Sequence, residues 1–300
     1  MAYYPAMQYL TIEGLPPQQE CDALASSELV TLHKRWLEKK GALENSAEYS
    51  DFIKKMLREW AIETGIIERL YTWDRGVTEI LIEQGIDASI ISHNSGIKPD
   101  EADNIAKMIE DQRGTVEDLF SFVKGERAFS EHFIRAMHEK LTTHQDHIEA
   151  ITPEGQPVRI NLLKGKYKEQ PNNPKRPDGG IHEYCPPELV QDEMEQLVRL
   201  YLDYDKNGMA PEILSAWLHH RFTQIHPFQD GNGRIARALA SLVFIKVGLF
   251  PLVIRDSDRK EYITALEEAD SGRIGALVQL FAKRQCDAIQ SALGIGQQAK

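Results

Sequence analysis

Cysteine is scarce. The three residues, Cys21, Cys185 and Cys286, are odd in number and far apart, and no CxxC or Cys/His ligand spacing occurs, so neither a disulfide framework nor a zinc site is indicated. Basic charge is also in deficit. Against 46 Asp and Glu there are 35 Lys and Arg, a net charge of -11, which argues against sequence-independent nucleic-acid binding because that needs a basic face to displace counterions. Long apolar runs are missing too. None reaches the roughly 18 residues of a membrane span, and the N-terminus lacks a basic stretch followed by an apolar one. The expectation is a soluble, cytoplasmic chain with no membrane partner.

What is present is an ordinary globular composition, 42% hydrophobic and 27% charged, over 300 residues, enough for one large domain or two. Residues up to about Cys21 are turn-rich and read as an arm. Beyond them the period is helical almost throughout. Ile53, Leu57, Trp60, Ala61, Thr64 and Glu68 share one helix face, a second helix is expected from Pro99, and others near Phe133, Pro187 and Pro211. One hairpin is expected around the turn Pro153-Glu154-Gly155, with Val158, Ile160 and Leu162 alternating as on a half-buried strand. The segment from Pro171 to Gly180 is too rich in proline and glycine for regular structure. The fold class is therefore all-α with a small β insertion.

The segment from Ile225 to Arg237, IHPFQDGNGRIAR, stands apart. An apolar helix ends before it and another begins after it, so the segment is a loop entering a helix N-terminus, where unpaired N–H groups and the helix dipole favour an anion. Gly231 and Gly233 allow the main chain to approach oxygen atoms, and Arg234 and Arg237 add two charges with fork geometry suited to phosphate. Asp230 offers the hard oxygen that Mg²⁺ takes when it bridges a polyphosphate, and His226 is a base of suitable pKa for a hydroxyl proton.

Together these residues resemble the Fic motif, HPFx(D/E)GN(G/K)R, matched at every position from His226 to Arg234. The resemblance extends over roughly Pro99 to Leu280. It implies a helical core at 99–290, preceded at 1–98 by an arm and a helical region. It also implies transfer of AMP from ATP, with Mg²⁺, to a Ser, Thr or Tyr hydroxyl of a target protein or of the chain itself. In that scheme His226 takes the hydroxyl proton, Phe228 anchors the loop, Asp230 holds Mg²⁺, Gly231, Asn232 and Gly233 cradle the anion, and Arg234 binds the outer phosphates. Gly233, where relatives of the kinase type carry Lys, is similar to the AMP-transferring branch. Tyr262 resembles an aromatic position that contacts adenine, with a packed surface tyrosine as the other reading.

The segment from about Leu163 to Cys185 resembles the family's flap, whose strand edge would hold a target by main-chain hydrogen bonds. Lys164, Lys166, Lys168, Lys175 and Arg176 within it read as a solvated face. Upstream, Thr64 to Arg69 resembles the inhibitory motif (S/T)xxxE(G/N), on a helix expected at about 51–71. The resemblance implies that Glu68 pairs with Arg237 and obstructs the γ-phosphate. Arg69 departs from the family's Gly or Asn there. Two other readings stay open, hydrolytic removal of AMP with Glu68 positioning a water, and a nucleotide-sensing interaction protein. A metal cluster of His219, His220, His226 and Asp230 lacks the spacing for one helix face. The target, the modified residue type and any homodimer are not readable from the sequence.

Overall fold

The computed structural model describes residues 9–125, 127–152, 155–174 and 179–298. Among them run α1 (Gln18–Leu24), α2 (Ser27–Leu43), α3 (Ala47–Ile67), α4 (Arg75–Gln84), α5 (Ala88–Ser95), α6 (Pro99–Lys124) and α7 (Glu131–Leu141). A hairpin of β1 (His147–Ile151) and β2 (Pro157–Asn161) follows, then α8 (Val190–Lys206), α9 (Pro211–Ile225), α10 (Asn232–Lys246), α11 (Arg259–Asp270) and α12 (Gly275–Gln298). Among the described residues the protein is all-α apart from that hairpin and isolated bridges at Ile181 and His182.

The sequence explains why α10 is central. A helix that is apolar all round has to be buried, and α10 carries Ile235, Ala236, Ala238, Leu239, Ala240, Leu242, Val243 and Phe244, each at 3% exposure or less. One core, with Trp60, Ile109, Trp217 and Phe228, takes Ile235, Leu239 and Leu242 from it, and a second, with Trp36, Phe250 and Phe281, takes Ala240 and Phe244. Helix α9 packs along it, as do α6, α7 and α3. Helix starts follow local chemistry. Ser46 caps α3 by accepting from the N–H of Tyr49, and Pro99 and Pro211 open α6 and α9, where a missing N–H costs nothing.

The helix expected at about 51–71 is α3, which runs from Ala47 to Ile67, somewhat earlier than the sequence suggests, with Glu68 as its C-cap. Its face of Leu57, Trp60 and Ala61 is buried beside α6, which carries its last turn to α10. The arm is less loose than its turn residues imply. Ile12 is buried, its N–H and the hydroxyl of Tyr9 both donate to Glu193, and Trp217 donates to the carbonyl of Glu13.

The hairpin pairs His147 with Asn161 and Ile151 with Pro157 in an antiparallel register. Its alternation does not bury a face. Val158 and Ile160 are each 37% exposed, Ile148 and Ala150 opposite them are half-buried, and Leu162, just beyond β2, is buried. Pro153 and Glu154 of the expected turn, and Lys175 and Arg176 of the expected solvated face, lie outside the described residues. The strands precede the segment 163–185, which has isolated bridges at Ile181 and His182 among its described residues. All three cysteines are buried and free, and no helix among the described residues is long and apolar enough to cross a membrane.

Candidate active site

The chain leaves α9 at His226, crosses Pro227 to Asp230 and enters α10 at Asn232. Phe228 is fully buried and stacks on His138 of α7, centroids 3.8 Å apart. Asn232 ties the loop to itself, accepting from the N–H of Phe228 at 2.9 Å and donating to its carbonyl at 2.7 Å. Gly231 sits at φ 80°, a turn that only glycine adopts at little cost. The helix therefore starts without a side-chain cap, leaving its first amides to an anion.

His226 itself has left-handed backbone, φ 52° and ψ 57°. Its Nδ1 lies 3.2 Å from the carbonyl of Thr223. A carbonyl can only accept, so Nδ1 carries the proton and Nε2 presents the lone pair, the tautomer a general base requires. Burial, reinforced by the charge of Lys168, pushes its pKa down to about 3, well below the near-neutral value expected from the sequence, so the imidazole is neutral at physiological pH and is a weaker base than an unperturbed histidine.

Asp230 Oδ2 accepts from the amide of Gln145 at 2.6 Å and from Arg234 at 3.3 Å. Burial opposes its charge, but Arg234, Gln145 and the N–H of Gly231 outweigh that and hold the carboxyl below its ordinary range. Arg234 is 1% exposed. It donates from Nη2 to Gln145 at 2.7 Å, while its Nε and Nη1 are buried with no acceptor among the described residues. Arg237 is equally buried, with Nε on the Thr64 hydroxyl at 2.6 Å, and Nη2 on the Thr64 carbonyl at 3.0 Å and on Glu68 Oε1 at 2.7 Å.

Gly233 faces that last contact. A β-carbon there would stand 2.1 Å from Glu68 Oε1, so a lysine at 233 and a carboxylate at 68 in this position exclude each other. Tyr262 is neither a surface residue nor open to solvent. It is 2% exposed, and its hydroxyl lies 2.7 Å from His219 Nε2 and 3.4 Å from Arg237 Nη1. The four-residue metal cluster does not assemble, since His219 faces Tyr262 and His220 bonds Asp270 at 2.9 Å. No group of three metal-ligating side chains occurs among the described residues.

Sequence reasoning missed four residues. His138 accepts from the N–H of Gly165 at Nδ1 and donates to the carbonyl of Asp230 at Nε2, and burial lowers its pKa to about 4. Gln145 bridges Asp230 and Arg234. Lys168, expected in solvent, is 3% exposed, with Nζ on Asn172 Oδ1 at 2.8 Å. Tyr184 lies flat on the His226 imidazole, centroids 3.7 Å and planes 7° apart. All four are distant in sequence from the motif, and no local pattern marks them.

Residues 128–244, which contain every motif position above except Thr64, Glu68 and Tyr262, match the family model described as Fic/DOC. Those residues are a Fic/DOC-family domain. Similar curated relatives include a Fido domain-containing protein of Dictyostelium discoideum, 44% identical over 89 residues, which are 29% of this chain and 62% of that one. The protein adenylyltransferase fic-1 of Caenorhabditis briggsae is 26% identical over 254 residues, 82% of this chain and 44% of that one. The chain thus spans less than two thirds of the length of either. Among solved structures, a Fic domain containing signaling protein from Bacteroides thetaiotaomicron superposes with a TM-score of 0.72 at 23% identity, covering 91% of this chain and 97% of that one. Fic-1 from C. elegans gives 0.69 at 20% identity, covering 94% and 76%. These establish that the fold likeness reaches well beyond the Fic domain, to the N-terminal helices that bring Glu68 to Arg237.

Proposed function

We propose that this chain transfers AMP from ATP to a protein hydroxyl, and that Glu68 holds the site in a restrained state. The observation that carries the reading is the convergence, on one loop and helix N-terminus, of a neutral His226 with its Nε2 lone pair available, the uncapped cradle of Gly231 to Gly233, and two buried arginines. A buried guanidinium with unpaired nitrogens favours an anionic ligand over none, and a polyphosphate supplies one. The adenylyltransferase name of the Caenorhabditis relative supports the same class.

The chemistry is an in-line displacement. The target oxygen bonds to the α-phosphorus, the bond to the bridging α,β-oxygen breaks and pyrophosphate leaves, while His226 Nε2 takes the hydroxyl proton. Asp230, charged and partly open to solvent, suits Mg²⁺, which binds through one or two carboxylates plus phosphate oxygens and neutralises polyphosphate charge when present. Arg237 would meet the outer phosphates once Glu68 lets it go.

The test compares ATP labelled on the α-phosphate with ATP labelled on the γ-phosphate, using Glu68→Gly and Glu68→Gly/His226→Ala. Covalent label from the α-position alone, reduced by about 10²-fold or more without His226, is expected. Label from the γ-position, or no covalent label in Glu68→Gly, would overturn the reading.

A further inference from the structure

Left-handed backbone is strained at a residue with a β-carbon and persists only where the surroundings over-determine it. Among the described residues, the non-glycine positions in that region are Arg69 and His226. For His226 the surroundings include the segment between β2 and α8. The N–H of Lys168 donates to the carbonyl of Pro227 at 2.8 Å, and its Nζ stands 3.5 Å from the carbonyl of Ile225. Asn172, which accepts from Lys168 Nζ, donates to the carbonyl of Phe228 at 2.8 Å. The carbonyls on either side of His226 are thus both bonded to Lys168, and Tyr184 from the same segment covers the imidazole face.

Lysine is seldom buried unless it is paired. Here Asn172 and the loop carbonyls take the place of solvent, and Lys168 Nζ also lies 5.8 Å from the centroid of the Tyr184 ring. The ammonium, the stacked ring and the strained histidine therefore form one packed unit. Arg234 and Arg237 are held by a different set of side chains, Gln145, Asp230, Thr64 and Glu68.

We propose that Lys168 and Tyr184 are positioning residues for His226. Lys168 fixes the two carbonyls that bracket the left-handed residue, and Tyr184 fixes the plane of its ring, so that Nδ1 stays on Thr223 and Nε2 stays directed at the incoming hydroxyl. The proposal rests on His226 being the base of the transfer reaction. It gives the flap a second task besides holding the target, and that task acts on proton removal rather than on nucleotide affinity.

The experiment measures kcat and the KM for ATP in the Glu68→Gly background for Tyr184→Ala, Tyr184→Phe and Lys168→Met. Small misplacements of a reacting group cost up to about 10²-fold in rate. Tyr184→Ala and Lys168→Met are expected to lose about tenfold or more in kcat, with KM for ATP moving less than about threefold, and Tyr184→Phe to restore most of the rate. A second arm follows acylation of His226 by diethyl pyrocarbonate, read by peptide mass spectrometry in the same variants. It should quicken several-fold in Tyr184→Ala and not in Tyr184→Phe. A rise in KM matching the fall in kcat/KM, a phenylalanine no better than alanine, or an unchanged acylation rate would overturn the proposal. If no variant transfers AMP at all, the functional reading has failed, and the acylation arm still decides whether Tyr184 shields and orients the histidine.

Discussion

Glu68 and Arg237, 169 positions apart in sequence, meet with Oε1 at 2.7 Å from Nη2 beside the first turn of α10. The guanidinium is 2% exposed and the carboxylate 30%, so the contact is partly dry and worth roughly 1.5–3 kcal/mol as a charge-assisted bond. Thr64 and Tyr262 hold the same guanidinium and remain after Glu68 is removed. Glu68→Gly should therefore fold and free Arg237 for phosphate. Self-labelling and ATP turnover are expected to rise tenfold or more, since each ~1.4 kcal/mol is a decade. The ATP-induced rise in melting temperature should also be larger in the variant than in wild type. Equal turnover and equal shifts would make α3 ordinary scaffold.

Asp230→Asn tests the cation site. The amide keeps an oxygen and loses the charge that draws a hard cation. Activity should fall most at low Mg²⁺ and recover partly as Mg²⁺ rises. The hydrogen bond from Gln145 to this side chain has an oxygen to accept it in either case. A Mg²⁺ titration superimposable on that of wild type would remove Asp230 from the cation site.

Much of this site is legible in the sequence because the loop-to-helix motif is contiguous. From His226 to Arg237 each residue type carries its own chemistry, and helical spacing places Thr64 and Glu68 together. The fold class follows from 3.6-residue periodicity in the same way. What is not legible depends on long-range packing. His138 and Gln145 reach Asp230 from α7 and the loop after it. Lys168 lies in a segment whose composition looks solvated, and its burial is decided by the carbonyls of Ile225 and Pro227, nearly 60 positions away. The hairpin alternates apolar and polar residues, yet its apolar face is only half covered, since alternation says which residues share a face and not how fully anything covers it.

His138 gives a pH signature of stability. Its folded pKa is about 4 against an ordinary 6.5, because burial disfavours the charged ring. Between those values the unfolded chain holds a proton there that the folded chain lacks, so stability falls as pH falls. A depression of that size corresponds to roughly 3 kcal/mol lost between pH 7 and pH 4. His138→Gln retains a donor for the Asp230 carbonyl and cannot titrate. Urea midpoints measured across that range should decline less steeply for the variant, by about one proton's worth. Parallel slopes would show that His138 does not titrate between the two states as described.

The last prediction concerns Arg69, where the sequence departs from the Gly or Asn usual in the inhibitory motif that Thr64 to Arg69 resembles. The N–H of Leu70 donates to the carbonyl of Gly65 at 3.1 Å and that of Arg69 to Ile66 at 3.0 Å, a Schellman closure with Arg69 in the left-handed position at φ 58°. A glycine or asparagine preference after the glutamate thus has a backbone cause. The arginine side chain does not pull on Glu68. Its Nη1 pairs with Asp256 Oδ1 at 3.2 Å, both side chains nearly half exposed, and such a pair is worth about 0–1 kcal/mol. The left-handed penalty of about 1–2 kcal/mol is the larger effect, although added chain entropy in the unfolded state reduces the gain from glycine. Arg69→Gly is expected to raise the melting temperature and to lower turnover by a few-fold, because the closure that presents Glu68 becomes easier to hold. Arg69→Ala keeps the penalty and loses the ion pair, so it should turn over slightly faster than wild type and melt slightly lower. Turnover at one ATP concentration and a thermal melt, run on the three proteins together, separate the two causes. Glycine and alanine variants that behave alike would mean that the ion pair, and not the backbone, governs how firmly Glu68 is held on Arg237.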